Sequence, residues 1–187
     1  MEGSTRAFIA VEIDPAVRKG LAELVTKMEC DAVRPVREDQ IHITLLFLGE
    51  LDDARIKAMS GALAMIDEPP FNVLMNGIGT FRGGDLRIIY AKIIDGAEEL
   101  TRIHSMLKES AGKLKIKTDE REFPPHATVA RVNNPSSSDI SYLQGFLASH
   151  SEDTLGDFTC SQIKLKSSAL GESGPAYTDI SVRQLPL

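Results

Sequence analysis

The chain has 187 residues, 42% of them hydrophobic, enough apolar material for one domain or two small lobes around a shared core. Its net charge of −6 argues against a broad, sequence-independent nucleic-acid footprint, and the lack of tryptophan beside three tyrosines and seven phenylalanines argues against extended base-stacking platforms. No apolar run reaches bilayer-spanning length, Met1-Glu2-Gly3-Ser4-Thr5-Arg6 lacks a signal-peptide hydrophobic region, and two cysteines without metal-ligand spacing (Cys30, Cys160) lead us to expect a reduced, cytoplasmic protein.

In chain order, residues 6–13 are rich in β-formers and predict a strand. Asp14-Pro15 then starts a helix over 16–29, with Val17, Leu21, Leu24, Val25 and Met28 on one stripe. A short strand at 33–36 and the polar Arg37-Glu38-Asp39-Gln40 precede a strand over 41–48, closed by Gly49. Residues 53–66 space Ile56, Met59, Leu63 and Ile66 as a helix, which Pro69-Pro70 ends. Strands at 71–78 and 86–94 flank a turn carrying Gly77, Gly79, Gly83 and Gly84, and a helix over 97–112 turns Leu100, Ile103 and Leu107 inward. After the charged stretch 113–122, Phe123-Pro124-Pro125 delivers a strand over 126–132. The loop 133–138 caps a helix ending near Ala148, and strands at 158–168 and 177–182 complete the chain.

This order is a degenerate internal duplication. Helices alternating with hairpin-linked strands predict an α+β fold: a single domain, 1–187, of two lobes, with two antiparallel sheets facing a central cleft and helices packed outside. The duplication carries one pattern twice, His42-Ile43-Thr44-Leu45 and His126-Ala127-Thr128-Val129, with the histidines 84 positions apart. Side chains alternate faces along a strand, so His and Thr two apart point the same way. Two such strands on opposite walls of a cleft bring two imidazoles and two hydroxyls together. At neutral pH one imidazole can act as base and the other as acid, and the threonines can donate hydrogen bonds to phosphate oxygens, with no metal required.

A single strand histidine is more often a hydrogen-bonded core residue than a catalyst, but two in matching positions reverse the odds. His104 and His150 have no such match and read as structural or solvated. Zinc wants three or four ligands, and neither motif has a cysteine or carboxylate nearby, so no metal site is expected. Arg131 ends an apolar strand where a charge needs a partner. Its parity is opposite to that of His126, so only a bulge or twist would aim it into the same cleft. Lys164, Lys166, Arg34 and Arg37 read as solvated charges, some at the cleft mouth, and Gly171-Glu172-Ser173-Gly174-Pro175 as an ordinary turn.

The paired motifs, with Arg6-Ala7-Phe8-Ile9-Ala10-Val11, Gly77-Ile78-Gly79-Thr80-Phe81, Ser168-Ala169-Leu170 and Gly174-Pro175-Ala176-Tyr177, resemble the two-histidine phosphoesterases. Within that superfamily the chain is most similar to the bacterial and archaeal RNA 2′,3′-cyclic phosphodiesterases, once called 2′-5′ RNA ligases. The resemblance covers nearly the whole chain. It implies metal-independent, cofactor-free opening of a 2′,3′-cyclic phosphate at an RNA end to a 2′-phosphate, with weak reverse 2′-5′ joining. It further implies His42 as proton donor to the 3′-oxygen, His126 as base for water, and Thr44, Thr128 and Arg131 on the phosphate. A monomer acting on RNA ends, tRNA fragments among them, is the expectation. The chain departs from the family at Arg34-Pro35-Val36-Arg37, where an aromatic residue is common, and at Tyr90, where tryptophan is common. The rival readings are a non-catalytic RNA-end-binding module and a phosphodiesterase for another small cyclic nucleotide.

Overall fold

Helix starts are set by local capping chemistry. Asp14 accepts from the backbone N–H of Ala16 at 2.8 Å, with Pro15 opening helix α1 (Pro15–Thr26), and Asp52 accepts from Arg55 at the start of α2 (Asp53–Ala64). Helix α3 spans Ala97–Lys113, and a Ser136/Asp139 capping box opens α4 (Ser137–Ser149). A computed structural model describes residues 4–81, 86–171 and 174–187. Among these the strands are β1 (Thr5–Glu12), β2 (Val33–Pro35), β3 (His42–Leu51), β4 (Phe71–Gly79), β5 (Ile88–Asp95), β6 (His126–Val132), β7 (Thr154–Cys160), β8 (Gln162–Gly171) and β9 (Gly174–Gln184), with a 3₁₀ turn at Glu38–Gln40 before β3.

Every strand pair is antiparallel, in the order β7-β4-β5-β6-β3-β1-β8-β9, with β2 beside β6. The α+β class and antiparallel pairing are as expected. The two expected sheets, however, form one hydrogen-bonded path, because the motif strands β3 and β6 pair at Ile43 and Ala127. The junction is short, one residue pair, and β2 pairs with β6 further along, at Ala130–Val132. Around this junction lie two four-strand halves, β7-β4-β5-β6 and β3-β1-β8-β9.

The stretch read as one strand over 158–168 is two. Ser161 alone separates β7, an edge of one half, from β8, an inner strand of the other. Strand β3 also runs through Gly49, its expected end, to Leu51. Of the two expected turns, Gly83, Gly84, Glu172 and Ser173 lie outside the described residues.

Helix α1 packs against β6 and β7, α2 against β8 and β9, and α3 against β3 and α2. Their buried stripes (Val17, Leu21, Leu24 and Val25 on α1; Leu100, Ile103, Leu107 and Ala111 on α3) meet Ile9, Ile43, Ala127 and Ile89 in one apolar core. Each fully buried Leu or Ile contributes about 1.5–3 kcal/mol. With one face of the sheet sealed this way, the polar residues of the motif strands are left to the other.

Candidate active site

Strands β3 and β6 have the same burial pattern over their first seven residues: half-buried His42, Thr44, His126 and Thr128 alternate with buried Ile43, Leu45, Ala127 and Val129, and then the alternation breaks. Each strand carries an extra residue there. On β3, Thr44 pairs with Ala10 and Leu46 with Ile9, which leaves Leu45 as a bulge. On β6, Thr128 pairs with Tyr90 and Ala130 with Ile89, which leaves Val129. Each bulge inverts the parity of the strand residues beyond it. Arg131 is exposed beside Ile88 and Phe47 is 64% exposed beside Phe8, both on the histidine face. Sequence alternation alone aims Arg131 the other way, and the bulge supplies the re-aiming it needs. Phe47 stands 84 positions before Arg131, the offset that relates the histidines, so the duplication itself could have pointed to it.

Antiparallel pairing about Ile43 and Ala127 runs His42 toward Thr128 and Thr44 toward His126, so the four side chains share one face. The two histidines are oriented by the same device. Nδ1 of His42 lies 2.7 Å from the Gln40 carbonyl, and Nδ1 of His126 lies 2.7 Å from the Pro124 carbonyl, each two residues upstream. A carbonyl can only accept, so Nδ1 carries the proton and neutral Nε2 is left as a lone-pair acceptor. The Thr44 hydroxyl is 3.0 Å from His42 Nε2 and donates to it in that state.

Aromatic rings fix both imidazoles. Phe8 stacks on His42 at 5.2 Å, and Tyr177 meets it edge-on at 5.5 Å. Phe81 and Tyr90 stand against His126 at 5.0 and 5.2 Å. Burial pushes both histidines below the ordinary imidazole value, that of His42 to about 4. Its hydrogen bond to Gln40 acts in the opposite sense, Lys166 and His126 add repulsion, and Glu12 offsets part of that.

Glu12 is paired in register with His42 and belongs to a four-charge network. Lys166 is only 8% exposed and hydrogen-bonds to Glu12 and to Asp179, the latter at 2.6 Å, while Lys164 reaches Asp179 at 2.7 Å. Lys166 is a buried ion-pair member and Lys164 a half-buried one, not the solvated charges their sequence suggests. Burial pushes the Glu12 carboxyl up, but the lysine hydrogen bonds outweigh it and hold it below the usual carboxylate range. Arg37 pairs with Asp39, and Arg34 donates to the Asp31 and Val33 carbonyls. His104 donates from Nδ1 to the Leu45 carbonyl at 2.7 Å and stacks on Phe123 at 4.2 Å; His150 pairs with Asp153 at the end of α4. Both lie outside the site. Among the described residues, no three His, Cys, Asp or Glu side chains cluster as a ligand set, and no helix is long and apolar enough to cross a membrane.

Residues 14–170 match the family model for the 2′-5′ RNA ligase superfamily. The chain is 30% identical over 181 residues to an RNA 2′,3′-cyclic phosphodiesterase of Archaeoglobus fulgidus, covering 95% of this chain and 98% of that one. It is 27% identical over 185 residues to the protein of that name from Methanothermobacter thermautotrophicus, covering 96% and 98%. The same fold is seen in Escherichia coli LigT complexed with 3′-AMP, at a TM-score of 0.84 and 21% identity over 99% of this chain and 100% of that one. With the family model covering most of its length and a relative at this identity along nearly all of it, the chain belongs to the 2′-5′ RNA ligase superfamily.

Proposed function

We propose that this protein hydrolyses 2′,3′-cyclic phosphate ends of RNA to 2′-phosphates, as a cytoplasmic monomer and single domain to which both halves of the sheet contribute. The observation that carries this reading is the pair of imidazoles on one face, each with Nδ1–H held by the carbonyl two residues upstream and each followed by a threonine. RNA is the substrate class because relatives along nearly the whole chain are named for it.

In the proposed reaction His126 Nε2 takes a proton from water, whose oxygen attacks phosphorus. The P–O3′ bond breaks, and protonated His42 Nε2 delivers its proton to the departing 3′-oxygen. Thr44 and Thr128 donate to the non-bridging oxygens, and Arg131 offsets the charge that gathers on them. Phe47 offers a ring to the terminal base. The anionic phosphate raises the affinity of His42 for the proton that burial alone discourages. A 5′-hydroxyl in place of water, with the same bond breaking, forms a 2′-5′ linkage, which accounts for weak joining by the same groups.

The test is incubation with the four 2′,3′-cyclic mononucleotides and a short cyclic-ended RNA, tRNA fragments included, in excess EDTA, with products resolved by phosphate position. The 2′-phosphate is expected. A 3′-phosphate would reverse the bond that breaks, and activity lost in EDTA but restored by a divalent ion would replace the metal-free mechanism.

A further inference from the structure

A cavity of about 390 Å³ adjoins His42 but none of the other three motif side chains, and reaches away between α1, the 3₁₀ turn before β3 and the β8–β9 hairpin. Its size falls within the ordinary range for ligand pockets, roughly 300–1,000 Å³. Three cations line it, Arg18, Arg37 and Lys166, against two carboxylates, Glu12 and Asp39. Arg37 is engaged by Asp39, and Lys166 by Glu12 and Asp179. Arg18 is half-buried and near enough to help hold the Asp39 carboxyl below its usual range, after Arg37, but it makes no side-chain hydrogen bond to Asp39, and its Nε is buried without a hydrogen-bond partner among the described residues. A buried guanidinium N–H without a partner is costly, and an anion taken up by this cavity-lining side chain would offset that cost.

We propose that this cavity is a second phosphate subsite, in which Arg18 receives the phosphodiester one nucleotide upstream of the reacting end. The lining has one cation more than it has carboxylates, which matches a singly charged diester better than a dianionic terminal phosphate. Its wall is His42, so a strand whose end sits between the histidines enters it without a gap. The proposal deepens the RNA-end reading and rests on it. It makes the protein selective for oligonucleotide ends over mononucleotides, with Arg18 as the determinant.

The experiment is calorimetric binding of adenosine 2′-phosphate and of the dinucleotide ApA ending in a 2′-phosphate to the full-length protein and to Arg18→Ala and Arg18→Lys. The dinucleotide is expected to bind about tenfold tighter to the wild type, as one charge-assisted hydrogen-bonded contact gives. Arg18→Ala should erase that advantage while changing mononucleotide affinity less than twofold, and Arg18→Lys should keep part of it. No dinucleotide advantage in the wild type, or one that survives in Arg18→Ala, overturns the proposal. Wild-type salt titrations give a second readout that needs no variant: the dinucleotide affinity should fall more steeply with salt than the mononucleotide affinity, because one more charged contact is screened. Equal slopes contradict the subsite. Because binding is read without turnover, an inactive protein that still prefers the dinucleotide would overturn the hydrolytic reading and leave the subsite standing.

Discussion

In the proposed reaction His42 starts from an unfavourable resting state. With burial pushing its value down to about 4, the imidazole is almost wholly neutral at pH 7 in the free protein. The same shift is a stability statement. The unfolded chain binds a proton near pH 6.5 that the folded chain refuses until about pH 4, so the contribution of His42 is fully present above 6.5 and is lost as pH falls toward 4. The loss reaches up to about 3 kcal/mol. Urea unfolding midpoints at pH 7 and pH 4.5 should therefore diverge more in the wild type than in His42→Gln; equal divergence would mean that burial does not hold this imidazole neutral. His104 makes a different contribution, to stability. Its loss in His104→Ala orphans the Leu45 carbonyl and should cost about 1–3 kcal/mol in urea unfolding, where a solvated histidine would cost nothing measurable.

At the scale of elements, the two bulges make the site. The carbonyl at each bulge has a partner: Leu45 accepts from His104 of α3, and Val129 accepts from the backbone N–H of Val36 at 2.9 Å, where β2 runs beside β6. Bulges leave a faint trace in sequence. Val129-Ala130 is an adjacent apolar pair in an otherwise alternating strand, Leu45-Leu46 is hidden in the apolar run Leu45-Leu46-Phe47-Leu48, and from alternation alone Arg131 falls on the wrong face. The motif strands and the helix starts were legible because caps, stripes and Pro-rich lead-ins act locally. The β7–β8 break was not, since Ser161 is a one-residue joint with no glycine or proline and the break exists only because the strands pair in different halves. Gly77 shows the same dependence on distant structure. It has φ +72°, and a Cβ there would stand 1.9 Å from the Ser151 carbonyl oxygen, whereas Gly49, at φ +71°, has open space. Gly49→Ala should cost only the left-handed penalty of about 1–2 kcal/mol, and Gly77→Ala clearly more, because backbone must shift as well. Thermal unfolding of the two variants checks this; equal losses would contradict the close approach.

At the scale of the molecule, the duplication explains why one short ladder matters. Each half of the sheet supplies one histidine, one threonine and one re-aimed side chain, and the two sets meet only where β3 pairs with β6. Sequence spacing revealed the repeat. It could not reveal that the halves join edge to edge, because that depends on which apolar strands find each other. Nor could it reveal the buried Lys166 network, because Glu12 is far away in sequence and meets Lys166 and its hairpin partner Asp179 only once β1 pairs with β8.

The central claim is the division of labour, with His42 as acid and His126 as base. The most direct measurement is turnover of a 2′,3′-cyclic substrate whose 3′-oxygen is replaced by sulfur, since a thiolate leaves with little need of a proton. His42→Ala and His126→Ala should each lose most activity on the oxygen substrate, by a factor on the order of 10²–10⁴. On the sulfur substrate His42→Ala should recover and His126→Ala should not. Recovery of His126→Ala alone would reverse the roles, and recovery of neither would contradict acid–base catalysis by this pair.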